Sequence, residues 1–203
     1  MRISIDTNGV LRDTFGKAET IYQKFMIDDY IPTEGEEEFE FKLNLPITSM
    51  NLTDHFVFRT NEDLFEFFYV DFPMNIFGHA GSTENNSFNT LNDIYKDLRD
   101  EHELTVVSDE IEKSKPATLF FLSKFGCLIE NVKFFSKITE ESLWENTDIL
   151  LTSNPNLIET KPEGKIVVKY KTTYNVNEVA DFEIENLEQF KELYEKLNLK
   201  END

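Results

Sequence analysis

"ISIDTNGVLRDT", residues 3–14, decides how the rest of the chain is read. Ile3 to Ile5 form a short apolar-leaning run that ends on a carboxylate, Asp6. With Arg2 in front it reads as a strand of the buried type, which belongs in the interior of a parallel sheet. Thr7 to Gly9 supply the turn that follows, since Asn-Gly favours a tight reversal and Asp can hydrogen-bond its own backbone. Asp13-Thr14 then suit a helix cap. In parallel α/β sheets ligands collect at the carboxyl ends of the strands, so an acid at a strand tip raises a question of chemistry. The asparagine two residues later, Asn8, sharpens it.

"VLRDTFGKAETIYQKFMIDD" (10–29) predicts a helix, with Phe15, Ala18, Ile21, Tyr22 and Phe25 at three- and four-residue spacing. Residues 28–85 differ in texture. An acidic stretch at 34–40 reads as a solvated loop and strand edge. Phe39, Phe41, Leu43 and Leu45 alternate as in a strand. "NEDLFEFFYVDFPMNIFG" (61–78) reads as an Asn-capped aromatic helix whose 65–72 cluster supplies the core of the 28–85 segment, or an interaction patch if partly exposed. "GHAGSTENNS" (78–87) is a turn-rich hinge.

From residue 87 strands and helices alternate. "SFNTLNDIYKDLRDEH", "KPATLFFLSKFG", "TEESLWEN" and "NLEQFKELYEKLN" are predicted helices. "ELTVVS", "VKFFS", "TDILLTS" and "KIVVKY" are predicted strands, and "NPNLIETKPEG" a loop. Strand tips fall at Asp6, Ser108, Ser136 and Thr152-Ser153. This alternation predicts an α/β fold, a parallel sheet with helices on both faces. The division is a core of residues 1–27 and 86–203 with residues 28–85 inserted.

Composition narrows the partners. The chain has 203 residues, with 20 Lys+Arg against 40 Asp+Glu, a formal net charge of -20. Such a surface argues against broad binding of nucleic acid or of anionic membranes, because phosphate surfaces attract basic patches. A small phosphorylated ligand in a locally positive pocket stays compatible with it. Cys127 is the single cysteine, so no intramolecular disulfide is available, and its apolar setting reads as an inert buried thiol. No run approaches the roughly 20 apolar residues of a membrane helix, and "MRISID" has no signal-peptide character. A reducing, cytoplasmic setting is expected.

The first stretch resembles the opening motif of the haloacid dehalogenase superfamily of phosphohydrolases: an apolar strand, Asp-x-Asp-Gly-(Val/Thr)-Leu, a variable residue, then an acid and a small hydroxyl residue. "LTVVS" resembles the second motif, a strand ending in Ser or Thr. "DILLTSNPNLI" followed by "GKIVVKY" resembles the fourth-motif region of the 5'-deoxynucleotidase-like branch. The resemblance covers about two-thirds of the chain and implies a Rossmannoid core, with residues 28–85 as a cap inserted after the first motif.

It also implies roles. Asp6 matches the family's nucleophile, which forms an aspartyl-phosphate. Asn8 stands where a second Asp would protonate the leaving group and activate water. An amide cannot do this, and such general acid-base steps are worth about 10²–10⁴-fold. The Asn8 carbonyl still matches a Mg²⁺ contact, and with Asp6 and Asp109 it forms a weak candidate metal set. Ser108 matches the phosphate-binding hydroxyl. Lys115, with Lys113 as the alternative, matches the charge-neutralising lysine, and Gly9 with Asn8 completes the phosphate cradle. Thr152 and Ser153 replace an acidic pair that would hold Mg²⁺, a cation normally held by carboxylates. Two losses in one pocket imply a degenerate site, a weak or inactive phosphohydrolase that retains a phosphate-ligand pocket. The alternatives are an active Mg²⁺-dependent phosphomonoesterase with substitute ligands such as Asp109, and a non-catalytic interaction module.

Each of these positions also has a plain reading. Asp6 to Gly9 can be a simple turn, Ser108 an ordinary strand end, and Lys113 and Lys115 solvated helix starts. His55 and His102 have no evident partners, and His79 reads as a solvent-facing loop residue.

Overall fold

The computed structural model describes residues 1–32 and 39–201, with side chains through Tyr194. In chain order its elements are β1 (Arg2–Asp6), α1 (Thr14–Tyr22), β2 (Lys42–Leu43), β3 (Phe56–Val57), α2 (Asn61–Glu66) and α3 (Ser87–Leu98). There follow β4 (Glu103–Asp109), α4 (Ser114–Lys124), β5 (Val132–Phe135), α5 (Glu140–Glu145), β6 (Ile149–Thr152), α6 (Pro155–Glu159), β7 (Ile166–Tyr170), β8 (Phe182–Ile184) and α7 (Leu187–Glu201). Wider π-type turns extend α1 over Gln23–Asp28 and α2 over Phe67–Asp71, and a third runs over Met74–Gly78.

Six strands form one sheet in the order β5-β4-β1-β6-β7-β8, and every neighbouring pair is parallel. Counted along the sheet strands alone, this is 3-2-1-4-5-6, the order of a Rossmann-like doubly wound sheet. The winding reverses between β1 and β6. A crevice therefore opens at the carboxyl ends of those two strands, which is where such folds bind ligands.

The two-residue period of the strands sorts side chains to two apolar layers. Ile3, Ile5, Val106, Leu151 and Val168 join Leu91 and Ile94 of α3, Phe121 of α4 and Phe190 of α7 on one face. Val107, Leu150 and Val167 meet Leu143 and Trp144 of α5 and Leu157 and Ile158 of α6 on the other. Ser4 points to this second face and hydrogen-bonds the Thr147 hydroxyl at 2.7 Å. The sheet is therefore covered on both sides by helices, as strand-helix alternation predicts.

A third apolar cluster lies outside the sheet. Phe56, Phe67, Phe68, Ile76 and Phe77 pack with Ala18, Ile21 and Tyr22 of α1 and Ala117 of α4. The aromatic segment thus completes its core with residues from both flanking parts of the chain. Phe67 and Phe68 of the 65–72 cluster lie in this core, which also draws on α1 and α4.

Several local expectations change. The helix expected from residue 10 starts at Thr14, because Val10 to Arg12 stay in the turn and Asp13 caps the helix by accepting from Gly16 N–H. The alternation at 39–45 yields only the two-residue strand β2, paired antiparallel with β3. The helix expected over 61–78 is broken after Asp71, with Pro73 opening the next turn. The "NPNLI" loop contains the short helix α6, capped by Asn154 with Pro155 at its first position, and β8 has no counterpart among the predicted strands. Before α5 the Thr139 hydroxyl pairs with Ser136 in a reciprocal bond one turn earlier. His55 is buried, with Nε2 near the Ser49 N–H and Nδ1 near the Asn44 carbonyl, so it does have partners. His102 contacts the Met1 ammonium and the Tyr194 hydroxyl. Most of the acidic stretch at 34–40 lies outside the described residues. No described helix is long and apolar enough to cross a membrane.

Candidate functional site

At the reversal point the tips of β1, β4 and β6 bring Asp6, Ser108 and Thr152 together. Asp6 is buried, and its two carboxylate oxygens have separate partners. Thr152 Oγ1 donates to Oδ2 at 2.7 Å, and the Asn8 backbone N–H donates to Oδ1 at 3.3 Å. Ser153, one residue beyond the tip of β6, donates its hydroxyl to the Asn8 carbonyl at 2.9 Å and shares a 3.0 Å bond with the Tyr174 hydroxyl. Burial pushes the Asp6 carboxyl up to about 7; the Thr152 bond opposes this, and the nearby Asp109 charge adds to it. The Tyr174 phenol is likewise pushed up, chiefly by burial, to about 12.

Gly9 makes this close approach possible. Its φ is +71°, and a Cβ there would collide with both the Ser153 and Tyr174 hydroxyls. Gly9→Ala is expected to cost about 1–2 kcal/mol from backbone handedness alone, and more from the collision, seen as a lowered denaturant midpoint. A loss of no more than about 1–2 kcal/mol would mean that Ser153 and Tyr174 move apart freely.

Asn8 is anchored by residues that the opening motif does not predict. Its Oδ1 accepts from Arg12 Nη2 at 2.6 Å and from Thr14 Oγ1 at 2.7 Å. Its Nδ2 faces Ser108 Oγ and Glu110 Oε1, each at 3.5 Å. Arg12 occupies the variable position of the motif, yet it is fully buried and ion-paired to Glu110, which is also buried. Ser108 donates to Glu110 Oε1 at 3.2 Å, so its hydroxyl proton is already engaged.

A cavity of about 220 Å³ opens over these residues. Asp6, Asn8, Gly9 and Thr14 line it together with Asp109, Asn154 and Asn156, and Phe15, Met50, Leu52, Phe68, Tyr69 and Phe77 supply the apolar wall. No lysine or arginine is among its lining residues. Lys115 is exposed, with its ammonium 5.8 Å from the Phe134 ring centre. Lys113 donates to the Val70 carbonyl at 3.3 Å. The structure thus gathers Asp6, Asn8, Gly9, Ser108, Asp109, Thr152 and Ser153 around one crevice and leaves Lys115 out of the cavity wall. Lys115 lies early in α4, whose first turn presents Ser114 inward and Lys115 to solvent. Asp148, at the start of β6, is held at the opposite end of the sheet by Arg2, to which it accepts at 2.7 Å.

Reading the sequence missed Arg12, Glu110, Tyr174 and the paired amides Asn154 and Asn156. One usable signal was the arginine inside the apolar stretch "GVLRDTF", since a buried cation needs a buried partner. Among the described residues, no group of three or more His, Cys, Asp or Glu is placed to hold a metal ion. Comparison with protein-family models gives no match, and comparison with curated proteins gives none either.

Proposed function

We propose that the chain is a haloacid-dehalogenase-type protein of the 5'-deoxynucleotidase-like kind, with residues 28–85 as its cap, whose site no longer turns over phosphomonoesters. The order of the motif-like segments and the Rossmann-like strand order support the ancestry. One observation carries the loss of activity. The two oxygens at which the resemblance places a Mg²⁺ ion, the Asp6 carboxylate and the Asn8 carbonyl, accept hydroxyl protons from Thr152 and Ser153.

Mg²⁺ does not fit this donor set. The ion is a hard cation that keeps several waters and takes one or two carboxylates in near-octahedral array; Asp6 and Asp109 both line the cavity, but the Asp6 carboxylate and the Asn8 carbonyl that would complete the set already accept from Thr152 and Ser153. Here the positions of the acidic pair carry hydroxyls that fill the metal's place as neutral donors. When bound in such a site, Mg²⁺ would neutralise phosphoryl charge; these hydroxyls supply two hydrogen bonds instead. The acid-base step is missing as well, because Asn8 is an amide held by Arg12 and Thr14. No cation lines the cavity to draw in a phosphate, so the phosphorylated-ligand expectation loses its electrostatic support.

The test is phosphate release from nucleoside monophosphates and sugar phosphates with Mg²⁺, for the wild type and Asp6→Asn. Both are expected to stay at background, and Mg²⁺ is expected to leave the melting temperature unchanged. Wild-type turnover that disappears in Asp6→Asn would sink the reading. In the triple variant Asn8→Asp/Thr152→Asp/Ser153→Asp, Mg²⁺ is expected to raise the melting temperature, because that variant restores the carboxylates.

A further inference from the structure

We propose that the cavity beside Asp6 binds a small organic cation, an ammonium group carried on an apolar or aromatic body. The inference rests on the reading that Asp6 is not committed to a divalent metal, and it goes on to name what the same cavity takes.

Charge is the first argument. Asp6 and Asp109 both line the cavity, and Glu110 lies just behind Asn8. Against these three carboxylates stands one guanidinium, that of Arg12, which also bonds Thr14, Thr118, Asn8 and the Phe77 carbonyl. The other Glu110 oxygen, Oε2, is buried with no hydrogen-bond partner. The charged groups that act on Asp109 are acids too, Glu110 and Glu140. A cation in the cavity would relieve this repulsion, whereas an anion would add to it.

Unused acceptor capacity is the second. A carboxylate can accept about four hydrogen bonds. Asp6, only 2 % exposed, accepts one good hydroxyl bond and one long amide bond. Asp109, exposed at the cavity rim, adds charge rather than unfilled acceptors. An ammonium with up to three N–H donors matches the open acceptor positions of Asp6.

The wall is the third. Phe15, Phe68, Tyr69 and Phe77 face the same space, with Tyr69 stacked on Phe77 at 5.8 Å. Two of the π-type turns, Phe67–Asp71 and Met74–Gly78, deliver three of these rings. Aromatic faces attract organic cations, most strongly where water is excluded. They also cover an apolar body, which a bare metal ion lacks. At roughly 30 Å³ per water, a cavity of about 220 Å³ holds about seven waters, the space of a small amine.

Calorimetric titration of the full chain at pH 8 tests this with three probes of similar shape: phenethylammonium, neutral 2-phenylethanol and anionic phenyl phosphate. Phenethylammonium is expected to saturate at millimolar concentration or better. The alcohol should bind at least tenfold more weakly, a difference of about 1.4 kcal/mol, and the phosphate should not bind. Asp109→Asn, at the exposed rim, is expected to weaken the ammonium about tenfold and to leave the alcohol unchanged. Equal affinity for alcohol and ammonium overturns the proposal, as does the absence of saturable binding by phenethylammonium up to about 10 mM. Mg²⁺-dependent release of phosphate from phenyl phosphate would overturn the earlier functional reading as well. Loss of charge discrimination without turnover overturns only this one.

Discussion

Arg12→Met is expected to lower the unfolding free energy by about 3–5 kcal/mol, the range for breaking a buried ion pair by removing one partner. The guanidinium has five N–H donors, and the fold supplies an acceptor for each. Nε bonds Thr14 at 3.1 Å, Nη1 bonds the Phe77 carbonyl at 3.2 Å and Thr118 at 2.6 Å, and Nη2 bonds Asn8 at 2.6 Å and Glu110. The rings of Phe77 and Phe121 lie 5.0 and 5.4 Å from its central carbon. Methionine would fill much of the volume but would leave Glu110 charged and unpaired in the interior, with Oε2 already lacking a partner. Adding Glu110→Leu should therefore recover most of the loss, because an apolar pair of similar volume replaces a buried ion pair at little cost. Denaturant midpoints of the two single variants and the double variant form a complete cycle. A loss below about 1 kcal/mol in Arg12→Met would show that the pair contributes no more than a surface bridge does.

The second large effect is a dependence of stability on pH. The folded protein holds the Asp6 proton up to about 7, against an ordinary value of 3.8. Between those two values the folded state binds more protons than the unfolded chain, so stability falls as pH rises. At about 1.4 kcal/mol per unit, the whole interval is worth on the order of 4 kcal/mol. Asp109, raised to about 6, acts in the same direction. Asp6→Asn removes the ionisation from the deeper site. The variant should match the wild type near pH 4 and exceed it in melting temperature at pH 8. Parallel stability curves for the two proteins from pH 4 to 8 would mean that Asp6 ionises in the fold as it does in water. Saturating phenethylammonium should flatten the wild-type slope, which links this prediction to the cavity.

Much of the layout was legible because it is written in local patterns. The short apolar runs of "RISID" and "DILLT", the helical spacing in 87–98 and the acid at the tip of β1 are short-range features, and a parallel sheet covered on both faces follows from them. The position of Thr152 and Ser153 at the tip of β6 was equally readable, since each strand ends where its apolar run ends. Residues 28–85 were less legible. Their aromatic density fits a strand or a helix equally well, and the outcome depended on packing against α1 and α4.

Which side chains stand at the strand tips follows from the order of residues alone, and with it the presence of Asp6, Asn8, Thr152 and Ser153 in the crevice. How they are used depends on contacts between distant parts of the chain. The hydroxyls of Thr152 and Ser153 reach the Asp6 carboxylate and the Asn8 carbonyl across 146 and 145 residues of chain, and Arg12 finds Thr118 and Glu110 across 106 and 98. Such pairings are set by the parallel register and by burial, which make an unpaired charge costly. No periodicity along the chain encodes them.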